Sequence, residues 1–423
     1  MKKVVLAYSG GLDTSVAVAW LRETTGAEVI TLTVDVGGGS LREGVERRAL
    51  SAGASRAYVI DARERFVTGF CWPSLQANAL YQGVYPLATA LARPLIAQLL
   101  VEIAQREGAD AVAHGCTGKG NDQVRFDVAV HALDPSLEVV APMRVGMGLS
   151  RDQEIDYALA RGIEVPVTRG FSYSIDQNLW GRSIETGPLE DPWVAPPSDV
   201  YAWTVDPSRA PAVPAEVTIG FVGGLPVSLD GRDLSPVEVV DTLSALAGGH
   251  GVGRIDHVED RLIGIKSREV YEAPAAAVLH VAHRALEGLT LTREQLRFHR
   301  LVADELAQAT YDGLWFSALH RDLRAYVASA QRVVSGEVRV RLDHGQANVV
   351  GRRSDLSLYD RALATYDAED AFDHAAAVGF IRIWGLPLRT EAARQGSAWA
   401  WTEPLVDELP VRVADATPAD VAG

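Results

Sequence analysis

Cysteine is scarce in this chain: Cys71 and Cys116 are the only two among 423 residues. Two cysteines cannot form a disulfide framework or a cysteine-based zinc site. Cys116 is either a reactive thiol or, as we favour, a small buried residue. No run approaches the roughly 20 apolar residues of a membrane-spanning helix. The N-terminal apolar run is too short for a signal peptide, so the expected location is the cytoplasm.

Positive charge is also in short supply. Lysine and arginine number 40 against 55 aspartate and glutamate residues, which gives a formal net charge of −15. This acidity argues against a broad nucleic-acid-binding surface, although a few local donors can still hold a small anion. With 423 residues and a hydrophobic fraction of 48%, the chain is long enough for two or three domains, each with its own core.

The most informative segment is AYSGGLDTS, residues 7–15, which follows a strand-like run and opens a helical pattern. Gly10 and Gly11 permit a tight turn and the close approach of a ligand. The helix dipole and the free N–H groups of its first turn favour an anion there. The segment lacks the lysine of a Walker A motif and the spacing of a Rossmann fingerprint. It is either a phosphate-binding loop or a strand-to-helix turn with a Ser/Thr cap.

Asp13 within this loop needs a physical explanation, because a carboxylate repels a bound phosphate. A Mg²⁺ ion between the two would remove the conflict. The pattern S-G-G-x-D-S/T-S resembles the loop of the ATP pyrophosphatases, which cleave ATP between its α and β phosphates and hold the released pyrophosphate. The resemblance implies ATP and Mg²⁺ as cofactors.

Up to about residue 165, strand-like runs alternate with helical patterns. Strands are predicted at residues 3–8, 28–36, 55–61 and 109–115, and helices at 14–23, 42–53 and 93–108. Pro94 is expected near the first turn of the last helix, and Ser150 starts a further one. This alternation predicts a parallel sheet covered by helices, with ligands at the carboxyl ends of the strands.

The second half of the chain has a different order of elements. Residues 165–215 are predicted to be irregular but ordered, with Tyr173, Trp180 and Trp193 buried. Hairpins are expected around the Gly-Gly pair at 223–224 and around Gly345. Helices are expected from Ser235 and, over one long stretch with a bend allowed at Gly313, from Thr292 to about Gln331.

These grouped strands and long helices predict a second, α+β domain. Residues 371–390 resemble a helix that is apolar over much of its face, and unless the body buries that face it needs a partner subunit. The alanine-, aspartate- and proline-rich sequence from about Pro410 onward is predicted to be disordered.

Three further clusters are rich in polar groups. In HGCTGKGNDQVRFD, residues 114–127, a glycine-rich turn can hold an anion and Arg125 offers a planar fork for a carboxylate; the alternative is a capped helix start with a surface ion pair. SYSIDQNLWGRS, residues 172–183, is weak evidence alone, and residues 253–275 could be a surface hairpin. His114 is an acid–base candidate, for which we favour a structural role.

Together, AYSGGLDTS, TGKGNDQVRF, YSIDQNLWGRS and GRIDHVEDRLIGIKSREVYE resemble the argininosuccinate synthase family in order and approximate spacing, over roughly residues 3–390. The resemblance implies a parallel-sheet α/β nucleotide-binding domain of the ATP pyrophosphatase type at 1–168. It implies an α+β synthetase domain at 169–368, and a C-terminal oligomerisation helix with a flexible tail at 369–423. A homotetramer without nucleic-acid or membrane partners is expected.

The implied reaction ligates L-citrulline to L-aspartate through citrullyl-AMP, releasing AMP and pyrophosphate. The implied ATP-binding residues are Ala7, Tyr8, Ser9, Gly10, Gly11, Leu12, Asp13, Thr14, Ser15 and Gly115. Aspartate would be bound by Thr117, Asn121 and Asp122. Citrulline would be bound by Tyr85, Asn121, Arg125, Ser174, Ser183, Glu259 and Tyr271. Asp13 and Asp122 are the catalytic candidates, and Mg²⁺ is expected on the ATP phosphates with unidentified protein ligands.

The chemistry of two residues fits these roles, since Arg125 can pair with a carboxylate and Glu259 with an α-ammonium group. The sequence departs from the family pattern where Ala90 replaces a serine that contacts citrulline, a loss that Thr89 or a water could cover. It also departs where the family's ADxGQ reads VDVGG, with Val34 and Gly38 at the changed positions.

Two other functions fit the first loop. Another ATP pyrophosphatase, such as a tRNA thiolase, usually needs a cysteine pair and a basic RNA surface, and the composition opposes both. A non-catalytic ATP sensor would have little use for the second and third polar clusters.

Overall fold

The computed structural model describes residues 1–39, 41, 43–144, 146–163, 173–396, 410 and 412. The chain divides into two compact units, residues 1–358 and 359–423. Among the helices within these described ranges, none combines the length and apolarity needed to span a bilayer. The predicted division into three domains stays a prediction.

A five-stranded parallel sheet begins the first unit. Its strands are β1 (Lys3–Ala7), β2 (Glu28–Asp35), β3 (Arg56–Asp61), β4 (Ala111–Ala113) and β5 (Glu138–Val140), in the order β3-β2-β1-β4-β5. The central strand β1 is fully buried from Val4 to Leu6, which explains its uninterrupted apolar sequence. Because the strand order reverses at β1, the loops after β1 and β4 lie side by side at the carboxyl edge. Strand β5, which is only three residues long, was not predicted from the sequence.

Helices alternate with the strands of this sheet along the chain. They are α1 (Leu12–Thr25), α2 (Val45–Ser51), α3 (Arg63–Phe66), which continues through a π-helical turn into α4 (Trp72–Gln76), α5 (Ala88–Glu107), α6 (Asp122–Leu133) and α7 (Arg151–Ala160). The capping box predicted at Ser150 is formed with Gln153. The prediction that Pro94 lies in the first turn of α5 is wrong. Good helix formers precede it, and burial of Ala88 and Leu91 extends the helix upstream of the proline.

Two antiparallel sheets complete the first unit. The first contains β6 (Ser174–Asn178), β7 (Gly181–Glu185), β11 (Arg254–Asp260) and β12 (Lys266–Glu272), in the order β11-β12-β7-β6. The second contains β8 (Ala215–Val222), β9 (Leu225–Leu229), β10 (Arg232–Asp233), β13 (Gly336–Asp343) and β14 (Gln346–Arg353), in the order β10-β9-β8-β13-β14. The hairpins predicted around residues 223–224 and Gly345 are confirmed.

Four helices accompany these sheets: α8 (Pro236–Gly249), α9 (Pro274–Thr290), α10 (Arg293–Tyr311) and α11 (Ala318–Ala330). The start of α8 at Ser235 is confirmed, whereas α9 was not predicted. The prediction of one helix from Thr292 to Gln331 is wrong. Gly313 has a φ of +79°, and a Cβ there would lie 2.9 Å from the Cα of Arg125. The chain leaves the helical path because it packs closely on that residue.

The prediction of an irregular segment at 165–215 is wrong for residues 174–178 and 181–185, which form β6 and β7. Tyr173 is only partly buried, and residues 165–172 lie outside the described ranges. Trp180 is buried as predicted, with its indole N–H donating to the Pro86 carbonyl at 2.9 Å. The prediction for Trp193 is wrong, since it is 95% exposed. It lies between the acidic residues 190–191 and the prolines 196–197, in a turn that remains at the surface.

The second unit contains α12 (Arg361–Ala364), α13 (His374–Trp384) and α14 (Leu386–Gln395). The single helix predicted at 371–390 is therefore two helices separated by Gly385. Their exposed apolar side chains are Val378, Phe380, Ile381, Ile383, Trp384, Leu386 and Leu388. The tail predicted to be disordered from Pro410 onward lies outside the described residues, except for positions 410 and 412.

Candidate active site

A cavity of about 940 Å³ opens at the carboxyl edge of the parallel sheet. Its walls come from the loops after β1, β2 and β4, from α5 and α6, and from one face of the β11-β12-β7-β6 sheet. All residues of the predicted ATP, aspartate and citrulline sets line this cavity except Gly10 and Ser15. One site thus contains side chains from position 7 to position 271.

At one end of the cavity lies the glycine loop. Gly10 has a φ of +71°, a conformation that favours glycine. Ser15 is turned inward, where its Oγ lies 2.9 Å from the Tyr8 hydroxyl. Gly11 precedes α1, and no side chain of the described chain caps the helix there. The open N–H groups of the first turn therefore favour an anion site over a capped turn.

A second carboxyl faces Asp13 at this end. Glu154, on α7, is 3% exposed, and its Oε1 has no hydrogen-bond partner among the described residues. Burial, together with the hydrogen-bonded Asp13 carboxyl beside it, raises the pKa of Glu154 to about 8. Glu154 therefore favours its protonated form at neutral pH. Sequence reasoning missed Glu154, because its partner Asp13 is distant in the sequence and only the fold brings the two carboxyls together.

No cluster of three or more His, Cys, Asp or Glu side chains suited to a metal occurs in the described part of the chain. Two carboxyls with one unpartnered oxygen nevertheless fit a hard divalent cation that completes its shell with phosphate oxygens and water.

At the other end of the cavity, Asp122 lies between two arginines. Its Oδ2 accepts from Arg93 Nη2 at 2.8 Å and its Oδ1 from Arg125 Nη1 at 3.0 Å. Burial works to raise the pKa of Asp122, but the two guanidinium groups outweigh it and hold that pKa below its usual range. A carboxylate held in this way is a poor proton acceptor. Sequence reasoning missed Arg93, which also pairs with Asp176.

Glu259 is 3% exposed and is held by two tyrosines. Its Oε1 accepts from the Tyr311 hydroxyl and its Oε2 from the Tyr271 hydroxyl, both at 2.6 Å. Tyr85 stacks on Tyr271 with ring centroids 4.1 Å apart. Residues 253–275 do form a hairpin, but the interpretation as a surface hairpin is wrong, because Glu259, Glu269 and Tyr271 are buried on the face that lines the cavity.

Arg125 still has a donor available for a ligand. It is 4% exposed, and its Nε donates to the Tyr311 carbonyl at 2.9 Å. Its Nη2 has no partner among the described residues. A buried guanidinium nitrogen without a partner is costly, so a ligand carboxylate would satisfy it.

His114 and Cys116 have structural surroundings. The Cys116 N–H donates to His114 Nδ1 at 3.2 Å, which leaves the proton on Nε2, 2.8 Å from Asp127 Oδ1. The neutral ring thus shapes the loop that carries Gly115. Its surroundings raise the pKa of the Cys116 thiol far above its usual range, so the thiolate is disfavoured. The prediction that Cys116 is buried is wrong, because the residue is only partly buried and lines the cavity.

The departures from the family pattern have local explanations. Ala90 is 1% exposed within α5, whereas Thr89 lines the cavity with its Oγ1 3.5 Å from Ser183 Oγ. Gly38 has a φ of +67°, and a Cβ there would lie 2.4 Å from the Asn178 carbonyl oxygen. This backbone therefore excludes a glutamine at position 38. Val34 lines the cavity.

Comparison with known proteins gives consistent matches. A family model described as the arginosuccinate synthase N-terminal HUP domain matches residues 3–164, and the C-terminal domain model of the same family matches 173–391. The HUP match and the parallel sheet confirm the predicted mixed α/β fold class.

Three relatives carry the name argininosuccinate synthase. The relative from Symbiobacterium thermophilum is 56% identical over 94% of this chain and 99% of its own length. That from Oceanobacillus iheyensis is 54% identical over 93% and 94%, and that from Dehalococcoides mccartyi is 53% identical over 93% and 97%. A solved U34-tRNA thiolase from Methanococcus maripaludis covers 40% of this chain and 61% of its own at 14% identity, with a TM-score of 0.26, which is too low to bear on function.

Proposed function

The chain belongs to the argininosuccinate synthase family, and we propose that its 940 Å³ cavity is where it joins citrulline to aspartate with ATP. Family membership makes the protein an ATP-dependent ligase of arginine biosynthesis. The observation that supports the location is the gathering of phosphate-loop, arginine, carboxylate and tyrosine groups around one cavity.

The family chemistry has two steps. The ureido oxygen of citrulline attacks the α phosphate of ATP, which gives citrullyl-AMP and releases pyrophosphate. The aspartate amine then attacks the activated ureido carbon, which gives argininosuccinate and releases AMP. No covalent link to the protein forms, so the chain contributes by positioning the reactants and stabilising charge.

At the nucleotide end, the loop 7–15 and the first turn of α1 would hold the terminal phosphates through backbone N–H groups. Asp13 and Glu154 would hold a Mg²⁺ ion, which when bound neutralises charge on the departing pyrophosphate. Glu154 would release its proton as the ion binds, because a cation favours the ionised carboxyl.

At the amino-acid end, Arg125 would hold the citrulline carboxylate through its free Nη2, and Glu259 would hold the α-ammonium group. Thr117, Asn121 and Asp122 would bind aspartate. The low pKa of Asp122 favours a role as an anchor for the aspartate ammonium group over a role as a base. Its catalytic role stays a prediction.

The direct test is citrulline labelled with ¹⁸O in its ureido group, incubated with ATP, aspartate and Mg²⁺. Attack of that oxygen on the α phosphate predicts ¹⁸O in the released AMP and pyrophosphate release that depends on citrulline. Pyrophosphate release without citrulline, or AMP that lacks the label, would reject the mechanism.

The cation assignment predicts that Asp13→Asn lowers turnover about 100-fold at limiting Mg²⁺, the scale of losing one charge-stabilising group. Mn²⁺ binding followed by electron paramagnetic resonance should weaken in parallel. Asp322→Asn, which removes an exposed carboxylate on α11, is the control. Near-normal turnover of the Asp13 variant at low Mg²⁺ would contradict the assignment.

We also propose a homotetramer in which the exposed apolar side chains of α13 and α14 contact a partner subunit. The support is the number of large apolar side chains that this unit leaves open to water. Light scattering coupled to size exclusion should give four times the mass of the chain.

A cytoplasmic location is proposed because both cysteines are free thiols.

A further inference from the structure

Tyr311 is not among the predicted site residues, yet it contacts three of them. Its hydroxyl donates to Glu259 Oε1 at 2.6 Å and accepts from Asn121 Nδ2 at 2.7 Å. Its carbonyl oxygen accepts from Arg125 Nε at 2.9 Å, and the Arg125 guanidinium lies 4.8 Å from the centre of its ring. Tyr311, at the last position of α10, thus links three residues of the predicted citrulline set.

The hydrogen bonds of this cluster form a chain in which each group donates to the next, from the Leu262 N–H through Asn121 and Tyr311 to Glu259. The Leu262 N–H donates to Asn121 Oδ1 at 3.0 Å, which fixes the amide so that its NH₂ group faces Tyr311. The Tyr311 hydroxyl accepts there and has its only proton left for Glu259. Burial raises the pKa of Tyr311 above its usual range, so the hydroxyl keeps that proton. Each bond in such a chain strengthens the next.

Two stacked tyrosine pairs fix the geometry around Glu259. Tyr81 lies flat on Tyr311, with ring centroids 3.5 Å apart and an interplanar angle of 3°. The other oxygen of Glu259 is held by Tyr271, on which Tyr85 stacks. With one stacked hydroxyl on each oxygen, the carboxylate plane has little freedom to rotate.

We propose that Tyr311 is a positioning residue that aims Glu259 at the α-amino group of citrulline and fixes the orientation of the Asn121 amide. The inference rests on the proposed binding of the citrulline α-ammonium group by Glu259. Without the hydroxyl, one oxygen of Glu259 loses its donor and the Asn121 amide loses its acceptor. The ureido group, which reacts, lies at the opposite end of citrulline, so binding weakens while the chemical step is unchanged.

The test is Tyr311→Phe, which keeps the ring and its stacking on Tyr81. We expect KM for citrulline to rise on the order of tenfold, the effect of losing one hydrogen bond to a charged group. We expect kcat and the KM for ATP to stay within about twofold. Tyr326→Phe, on α11 where the ring packs edge-on against Phe298, is the matched control. A fall in kcat equal to that in kcat/KM would overturn the proposal.

A second measurement separates positioning from a general loss of structure. 5-Ureidopentanoate is citrulline without its α-amino group, and its inhibition constant against citrulline can be measured for each variant. Tyr311→Phe should leave that inhibition constant unchanged, because the inhibitor has no ammonium group for Glu259 to bind. If the variant weakens this inhibitor as much as citrulline, Tyr311 is merely structural and the proposal fails.

Glu259→Gln distinguishes the proposed role of Tyr311 from the proposed binding of the citrulline α-ammonium group by Glu259. An unchanged KM for citrulline in Glu259→Gln would remove Glu259 from the site, and the proposed function would need revision there. A raised KM in Glu259→Gln with a normal KM in Tyr311→Phe would overturn only the role of Tyr311.

Discussion

The two ends of the cavity are built in opposite ways. The nucleotide end is built mainly on one contiguous loop, residues 7–15, which follows a buried strand. The amino-acid end is assembled from side chains as far apart in sequence as Tyr85 and Tyr311. The charges also differ, because carboxyl faces carboxyl at Asp13 and Glu154, whereas Asp122 lies between two guanidinium groups.

This difference in charge indicates which kind of ligand each end of the cavity favours. A carboxyl pair in which burial favours the protonated form of one member can exchange that proton for a cation. A carboxylate already neutralised by two arginines is a fixed part of the wall, and it leaves one arginine nitrogen free for an anionic group. Substitutions at the two ends should therefore change stability in opposite directions.

Asp122→Asn is expected to have the largest effect. It leaves Arg93 and Arg125 without their shared counter-charge, and breaking a buried ion pair costs about 3 kcal/mol of unfolding free energy. Urea denaturation measures this, with Asp322→Asn as an exposed control that should change stability by less than about 1 kcal/mol. Equal effects of Asp122→Asn and Asp322→Asn would show that the buried ion pairs of Asp122 contribute no more to stability than an exposed pair.

Glu154→Gln should act in the opposite direction and depend on pH. The pKa of Glu154 rises from about 4.3 in the unfolded chain to about 8 in the fold, so the fold favours the protonated form. That stabilisation is complete below pH about 4.3 and is lost as pH rises through about 8.

Between these two pH values, wild type should therefore lose about 1.4 kcal/mol of unfolding free energy relative to Glu154→Gln for each unit of pH. Urea denaturation at a series of pH values measures the difference. Glu305→Gln, an exposed position on α10, supplies the control and should follow wild type throughout. Parallel curves for wild type and Glu154→Gln would show that the carboxyl pair holds no proton in the fold.

Arg125→Lys tests whether the amino-acid end is specific to citrulline. Lysine keeps the charge near Asp122 but loses the planar fork and the free Nη2. We expect KM for citrulline to rise about tenfold with the KM for ATP unchanged, measured in steady state. Arg161→Lys, in the exposed pair with Glu23, is the control. An unchanged KM for citrulline would remove Arg125 from the site.

The smallest effect is expected where the sequence departs from the family pattern. Thr89→Val removes a hydroxyl that lines the cavity and should raise KM for citrulline several-fold, the scale of one neutral hydrogen bond. Ala90→Ser should change it by less than twofold, because position 90 is buried within α5. The reverse result from steady-state kinetics would place the citrulline contact at position 90.

Sequence alone could predict the strands of the parallel sheet and the glycine turn that follows β1, because both are marked by local patterns. An uninterrupted apolar strand followed by glycines has one common structural meaning, and the motif carries its own chemistry. Glu154, Arg93 and Tyr311 could not be identified in this way. Their importance comes from Asp13, Asp122 and Glu259, partners that only the folded chain brings near.

The break between α10 and α11 shows the same limit. The helical pattern continues through it, so sequence reasoning predicted one helix. The break is set by the close packing of Gly313 on Arg125, a contact over nearly 190 positions. Tertiary packing here overrides local propensity, and it does so at the point where the helix delivers Tyr311 to the cavity.

The hydrogen bond between Asn121 and Tyr311 spans 190 positions of the chain, and this has a consequence for biosynthesis. A ribosome adding about 5–20 residues per second needs roughly 10 to 40 seconds between these two residues. The glycine loop and its helix can form early in that time. Asn121 and Glu259 are synthesised before Tyr311, so the nascent chain contains the loop proposed to hold the nucleotide before it contains the tyrosine proposed to position Glu259.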